Sequence, residues 1–136
     1  MTITIEDISM LRGGLRKIVA VGDVRIEVAK RMGVYSTTVY LTKESLQHIN
    51  IEHPDISDTL LLLACLAVRD GWIMQEIGRP NIFVCSYLEP MSRRRFTAVL
   101  KVARPDREIL LVSFRRGRFG QTRSFQKRCR TIKTHS

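Results

Sequence analysis

The sequence predicts an α+β fold: two helices packed on a mostly antiparallel four-stranded sheet, preceded by a β-rich N-terminal extension. Three observations carry this expectation. Residues 72–116 hold four apolar segments separated by turn chemistry. Residues 41–54 bear the caps of a short helix. Residues 56–69 are apolar on nearly every side, as a helix buried between layers is.

The extension, residues 1–38, starts without strong periodicity and reaches Gly13-Gly14. Segments 16–21 and 24–31 are rich in β-formers and flank Gly22-Asp23, a pair suited to a two-residue hairpin turn. Pairing Val21 with Val24 aligns Val19 with Ile26 and gathers an apolar face. Gly33 interrupts, and 34–41, with its β-branched and aromatic residues, reads as a third strand.

The main unit, 39–136, opens on the short helix. Thr42 is its N-cap, Leu41 and Leu46 form a hydrophobic staple, and Pro54 ends it after His53. Leu46, Ile49 and His53 share the inward stripe, whereas His48 points elsewhere, with Glu44 and Glu52 one turn to either side. His48 and His53 are separated by about 140° around a regular helix. The apolar helix follows, capped by Asp55 or Ser57 and stopped by Asp70-Gly71. Strands 72–77 and 82–87 flank Gly78-Arg79-Pro80-Asn81; strands 94–103 and 108–116 flank Arg104-Pro105-Asp106-Arg107.

The last hairpin permits a register argument. Strand side chains alternate faces, so a one-residue slip exchanges them. A three-residue loop, Pro105-Asp106-Arg107, pairs Val99 with Ser113 and Thr97 with Arg115. That register leaves one face wholly apolar and gathers Arg95, Thr97, Lys101, Ser113 and Arg115 on the other.

Charge narrows the partner. The 136 residues carry a net charge of +10, which points to a polyanion. Beyond Glu108 there is no acidic residue, while Arg115, Arg116, Arg118, Arg123, Lys127, Arg128, Arg130 and Lys133 are basic and Phe119 and Phe125 are interleaved. This reads as an arm for the RNA backbone, with aromatic rings on which bases stack. Cys65, Cys85 and Cys129 are odd in number and lack zinc spacing; Cys65 and Cys85 sit in apolar runs, so these two are expected as buried free thiols in a reducing cytoplasm. The first residues lack a charged segment followed by an apolar core, and 59–68 is too short to span a bilayer, so no signal peptide and no membrane span are expected.

The polar face suits a phosphodiester. Lys and Arg hold phosphate and stabilise charge building on its oxygens, a hydroxyl donates a further hydrogen bond, and a histidine moves the proton of a ribose 2′-OH. With the 2′-OH as nucleophile neither metal nor cofactor is required.

The order of strand, helix with Ser45-Leu46-Gln47-His48-Ile49 and Glu52-His53-Pro54-Asp55, apolar helix and four strands resembles the barnase/RelE-like RNase superfamily, as do Ala98-Val99-Leu100-Lys101 and Leu111-Val112-Ser113-Phe114. It is most similar to the phage- and plasmid-borne branch of toxin-type nucleases. The resemblance covers roughly residues 39–132 and leaves 1–38 unmatched. It implies a metal-independent endoribonuclease held in check by an antitoxin or immunity protein. It also implies site residues: a helix histidine, His48 or His53; a basic strand residue, Lys101; and a hydroxyl on the final strand, Ser113. Arg95, Thr97, Arg115, Arg116, Arg118 and Arg123 are expected to bind RNA. The sheet lacks an obvious counterpart of barnase's catalytic glutamate. The alternative is a non-catalytic RNA- or DNA-binding protein using the same basic face.

Overall fold

The computed structural model describes residues 2–117 and 129–131, the last three as backbone alone. The α+β class holds, but the architecture is larger than expected. The described residues form α1 (Ile5–Arg12), β1 (Ile18–Asp23), α2 (Ile26–Met32), β2 (Thr38–Thr42), α3 (Lys43–Glu52), α4 (Asp58–Leu61), α5 (Ala64–Asp70), β3 (Trp72–Glu76), β4 (Ile82–Leu88), β5 (Arg95–Ala103), β6 (Glu108–Arg116) and β7 (Cys129–Thr131). The seven strands make one sheet in the order β1-β2-β6-β5-β4-β3-β7. It is mixed, because β2 runs parallel to β6 through Val39↔Ile109 and Tyr40↔Leu110 while the other pairs are antiparallel.

This corrects the expectation of two helices on a four-stranded sheet with a β-rich extension. The opening residues form a helix because Thr4 and Asp7 close a capping box. The Asp7 N–H donates to Thr4 Oγ1 at 3.1 Å and the Thr4 N–H to Asp7 Oδ2 at 3.0 Å. Ile8 and Leu11 then bury one stripe. Residues 24–31 are not the second arm of a hairpin. Val28, Ala29 and Met32 are buried at helical spacing in α2, and Gly33 ends it with φ 71°, a left-handed conformation that glycine adopts without a Cβ clash. β1 pairs instead with β2, so the N-terminal part is woven into the sheet. Gly22 and Asp23 belong to β1, and the Asp23 carboxylate accepts from the Thr37 hydroxyl at 2.9 Å.

The apolar stretch expected as one helix divides into α4 and α5. Ser57 caps α4, accepting the Leu60 N–H at 3.2 Å. Short i→i+3 bonds, Leu63 N–H to Leu60 and Leu66 N–H to Leu63, then tighten the chain. The break lets α4 lie against α1 while α5 packs over β1, β4 and β5. Arg12 of α1 grips Asp58 of α4 through two bonds of 2.8 and 2.7 Å, and this partner holds the Asp58 carboxyl below the usual carboxylate range.

The core lies between the helices and one face of the sheet. Val19, Val39, Leu41, Phe83, Phe96, Leu100, Ile109, Leu111 and Phe114 are buried there beneath Ile8, Leu46, Ile49 and Leu61. Phe96 and Phe114 stack with ring centroids 5.6 Å apart. Cys85 is fully buried, and desolvation pushes its thiol up to about 12. Cys65 and Cys85 are free thiols. Among the described residues, no helix is long and apolar enough to cross a membrane.

Gly71 joins α5 to β3 where two backbones nearly touch. A Cβ there would lie 2.3 Å from the Ala67 carbonyl oxygen and 3.1 Å from that of Ser86. Its φ of −66° is open to any residue, so the constraint is space alone. Gly71→Ala is therefore expected to destabilise by about 1–3 kcal/mol, read as a lower urea midpoint at unchanged slope. An unshifted midpoint would contradict this packing.

Candidate functional site

The two histidines part company. β2 ends at Thr42, whose hydroxyl caps α3 by accepting the Ser45 N–H at 3.1 Å. Leu46 and Ile49 anchor α3 in the core, as the inward stripe requires. His48 is exposed on the flank, its Nε2 3.2 Å from Glu52 Oε2. His53 stands half-buried at the C-cap, its N–H bonded to the Ile49 carbonyl at 2.8 Å, and takes no part in the cleft beside His48.

That cleft lies between α3 and β6. It is shallow and open, has a volume of about 430 Å³, and is walled by Glu44, Ser45, His48, Glu52, Val112 and Ser113. A β-bulge makes the β6 wall. Leu111 faces Leu100 and Ser113 faces Val99, so Val112 has no residue opposite it. Such a bulge bends its strand and re-aims the neighbouring side chains. The pairings Val99↔Ser113 and Thr97↔Arg115 are those expected, but the loop is Arg104-Pro105-Asp106-Arg107, with Ala103 opposite Glu108. The three-residue loop is thus replaced by a four-residue loop plus a bulge. The side chains of Ser45 and Ser113 make no hydrogen bond to other described residues and remain available to a ligand.

The expected polar cluster is only partly assembled. Thr97 is wholly buried, and its hydroxyl donates to the Gly117 carbonyl at 2.8 Å. It therefore does not contact RNA from this position; it ties the end of β6 to β5. Lys101 is exposed between Ile82 and Leu110 and is not a wall of the cleft. Arg115 follows Ser113 on the same side of β6 and is half-buried opposite Thr97. Arg95 is half-buried opposite Leu88. Arg116 turns to the helix side, where its Nε lies 3.5 Å from Asp55 Oδ2. Arg118 and Arg123 lie outside the described residues.

Sequence reasoning did not assign Glu44, Ser45 and Glu52 to the site, although the helical spacing already put both glutamates beside His48. It also passed over Arg93 and Arg94, exposed in the β4–β5 turn and extending Arg95 into a basic triplet. Among the described residues, no group of three or more His, Cys, Asp or Glu side chains is arranged to hold a metal ion.

Chemically, the cleft offers an imidazole for proton transfer, a carboxylate that orients it, and two hydroxyls that can bond a phosphate oxygen. Among the described residues its walls carry no lysine or arginine, and of those residues Arg115 is the nearest site cation along β6. No family model matches the sequence, and comparison with curated proteins and with solved structures finds no match.

Thr97 and Ser113 are expected to separate in their effect on folding. Thr97→Val keeps the volume but strips the Gly117 carbonyl of its partner, costing about 1 kcal/mol. Ser113→Ala, on an open wall, stays within roughly 0.5 kcal/mol of wild type. Parallel thermal melts decide; equal losses would contradict the placement of the two hydroxyls.

Proposed function

We propose that the chain is a metal-independent endoribonuclease of toxin type that cleaves RNA by attack of a ribose 2′-OH on the adjacent phosphate. The observation that carries this reading is the meeting of His48 and Ser113, far apart in sequence, across one open cleft beside a β-bulge. In this mechanism His48 takes the 2′-OH proton and a proton returns to the departing 5′-oxygen, with Glu52 keeping the imidazole in place. Ser113 donates to a non-bridging phosphate oxygen. Arg115 supplies positive charge as the phosphorane forms, and Lys101 contributes to holding the RNA rather than to the reaction. The net charge of +10 fits a polyanionic substrate, and an antitoxin or immunity protein would occupy the same basic surface.

One observation favours a second reading, a non-catalytic RNA-binding module. Among the described residues the cleft walls hold Glu44 and Glu52 but no cation, which disfavours a phosphate in the absence of Arg115 or another basic group.

Purified protein incubated with RNA in EDTA separates the two. The ribonuclease reading expects fragments ending in 2′,3′-cyclic phosphate, no cutting of 2′-O-methyl RNA, and a loss of roughly 10²–10⁴ in rate for His48→Ala. His53→Ala is expected to lower stability more than rate. A wild type that binds RNA but leaves it intact, with or without magnesium, would transfer the case to the binding module.

Salt dependence tests the shared premise. Affinity for single-stranded RNA is expected to fall with a log–log slope of about −0.7 per neutralised phosphate. Arg93→Ala combined with Arg94→Ala should flatten that slope, and a slope near zero in wild type would remove RNA from both readings.

A further inference from the structure

A second concavity lies away from the α3–β6 cleft, where the β5–β6 loop meets the end of α2 and the β3–β4 turn. It has a volume of about 230 Å³ and is walled by Met32, Pro80, Asn81, Val102, Arg104 and Arg107. Three walls are apolar, and Met32 and Val102 continue into the core at 8 % exposure each. No acidic residue is among the walls that the described residues form.

The two arginines differ in how they are held. Arg107, with φ 52°, reaches across to the end of α2 and donates from Nη1 to the Gly33 carbonyl at 3.1 Å. That bond uses one of its five donors and fixes the guanidinium at the rim. Arg104 is exposed and has no ion pair or side-chain hydrogen bond among the described residues. The Asn81 main-chain carbonyl accepts the Val102 N–H at 2.9 Å, which seats the turn, while its side-chain amide makes no hydrogen bond among the described residues.

We propose that this pocket binds a phosphorylated nucleoside. A guanidinium fork matches phosphate oxygens in pairs, and its flat face stacks on a heterocycle. The apolar walls accept the faces of a base or the carbons of a ribose, and the Asn81 amide offers both a donor and an acceptor to a base edge. The volume admits one such unit, below the range of drug-sized sites. The same chemistry comes from two sources, a nucleotide within an RNA strand or a free nucleotide. Neither source requires the chain to be a ribonuclease.

Calorimetric titration of the purified protein with adenosine 5′-monophosphate, inorganic phosphate and a short 2′-O-methyl oligoribonucleotide tests the assignment. Wild type is expected to bind the monophosphate or the oligonucleotide more tightly than inorganic phosphate. Arg104→Ala should weaken nucleotide binding about tenfold, the size of one charge-assisted bond, while melting as wild type does. Asn81→Ala, which leaves both guanidiniums, should weaken nucleotide binding and leave inorganic phosphate unchanged. Arg104-dependent binding of the monophosphate identifies the free nucleotide as the source, and such binding of the oligonucleotide alone identifies RNA. Equal affinity for phosphate and nucleotide, or wild-type affinity in both variants, overturns the proposal. Loss of RNA cleavage in His48→Ala with nucleotide binding intact keeps this pocket distinct from the cleft.

Discussion

A parity conflict in β6 governs the rest of the molecule. Ile109, Leu111 and Phe114 are all buried in the core. The first two are two residues apart, as a strand requires, but Leu111 and Phe114 are three apart. An uninterrupted strand, with its period of two, would turn Phe114 to the other face. A β-bulge resolves the conflict by leaving the extra residue, Val112, out of the pairing. Phe114 can then stack on Phe96, and Ser113 moves to the wall of the α3–β6 cleft. The bulge therefore keeps Phe114 in the core despite the three-residue spacing and at the same time shapes a wall of the candidate site. The other wall follows from the early end of β2. It pairs with β6 only as far as Tyr40↔Leu110, so α3 flanks the rest of that edge.

Charge is distributed unevenly over this frame. Arg12, Arg69, Arg79 and Arg116 face Asp58, Asp70, Glu76 and Asp55 respectively. These pairs are largely exposed, so each adds little stability, but each removes a cation from the outward field. Arg93, Arg94, Lys101 and Arg104 have no ion pair among the described residues. Three of these sit in the connections at the two ends of β5, and Lys101 lies on that strand. Lys30 and Arg31 on α2 and Lys43 at the start of α3 are likewise without an ion pair among the described residues, while Glu44 and Glu52 make the flank around His48 acidic.

Much of this was legible in the sequence where signals were local. Thr42 and Pro54 bounded α3, Asp70-Gly71 stopped α5, and the four strands from Trp72 onward lie within a residue or so of their expected bounds. The failures have physical causes. Residues 24–31 contain β-branched residues at positions that also satisfy a helical stripe, and burial of Val28, Ala29 and Met32 decided for the helix. The capping box of Thr4 and Asp7 is a short signal beside an unremarkable first turn. The parallel contact between β2 and β6 joins segments far apart in the chain, which no turn residue announces. For the site, helical geometry correctly gave His48 and His53 different surroundings. The burial of Thr97 was hidden, because alternation within β5 puts it on the polar face and its hydroxyl finds its partner 20 residues away, at the Gly117 carbonyl.

Val112 also sets how separable the cleft is from the fold in evolutionary terms. Loss of that codon in frame would bring Leu111 and Ser113 together, still opposite Leu100 and Val99. The alternation would stay correct on both sides of the junction, so the ladder would close without a break and every core residue would keep its face. Only the local bend towards α3 would disappear. A lineage could thus shed the cleft in one genetic step and keep the scaffold, because the irregularity that shapes the cleft is an addition to a ladder that is consistent without it.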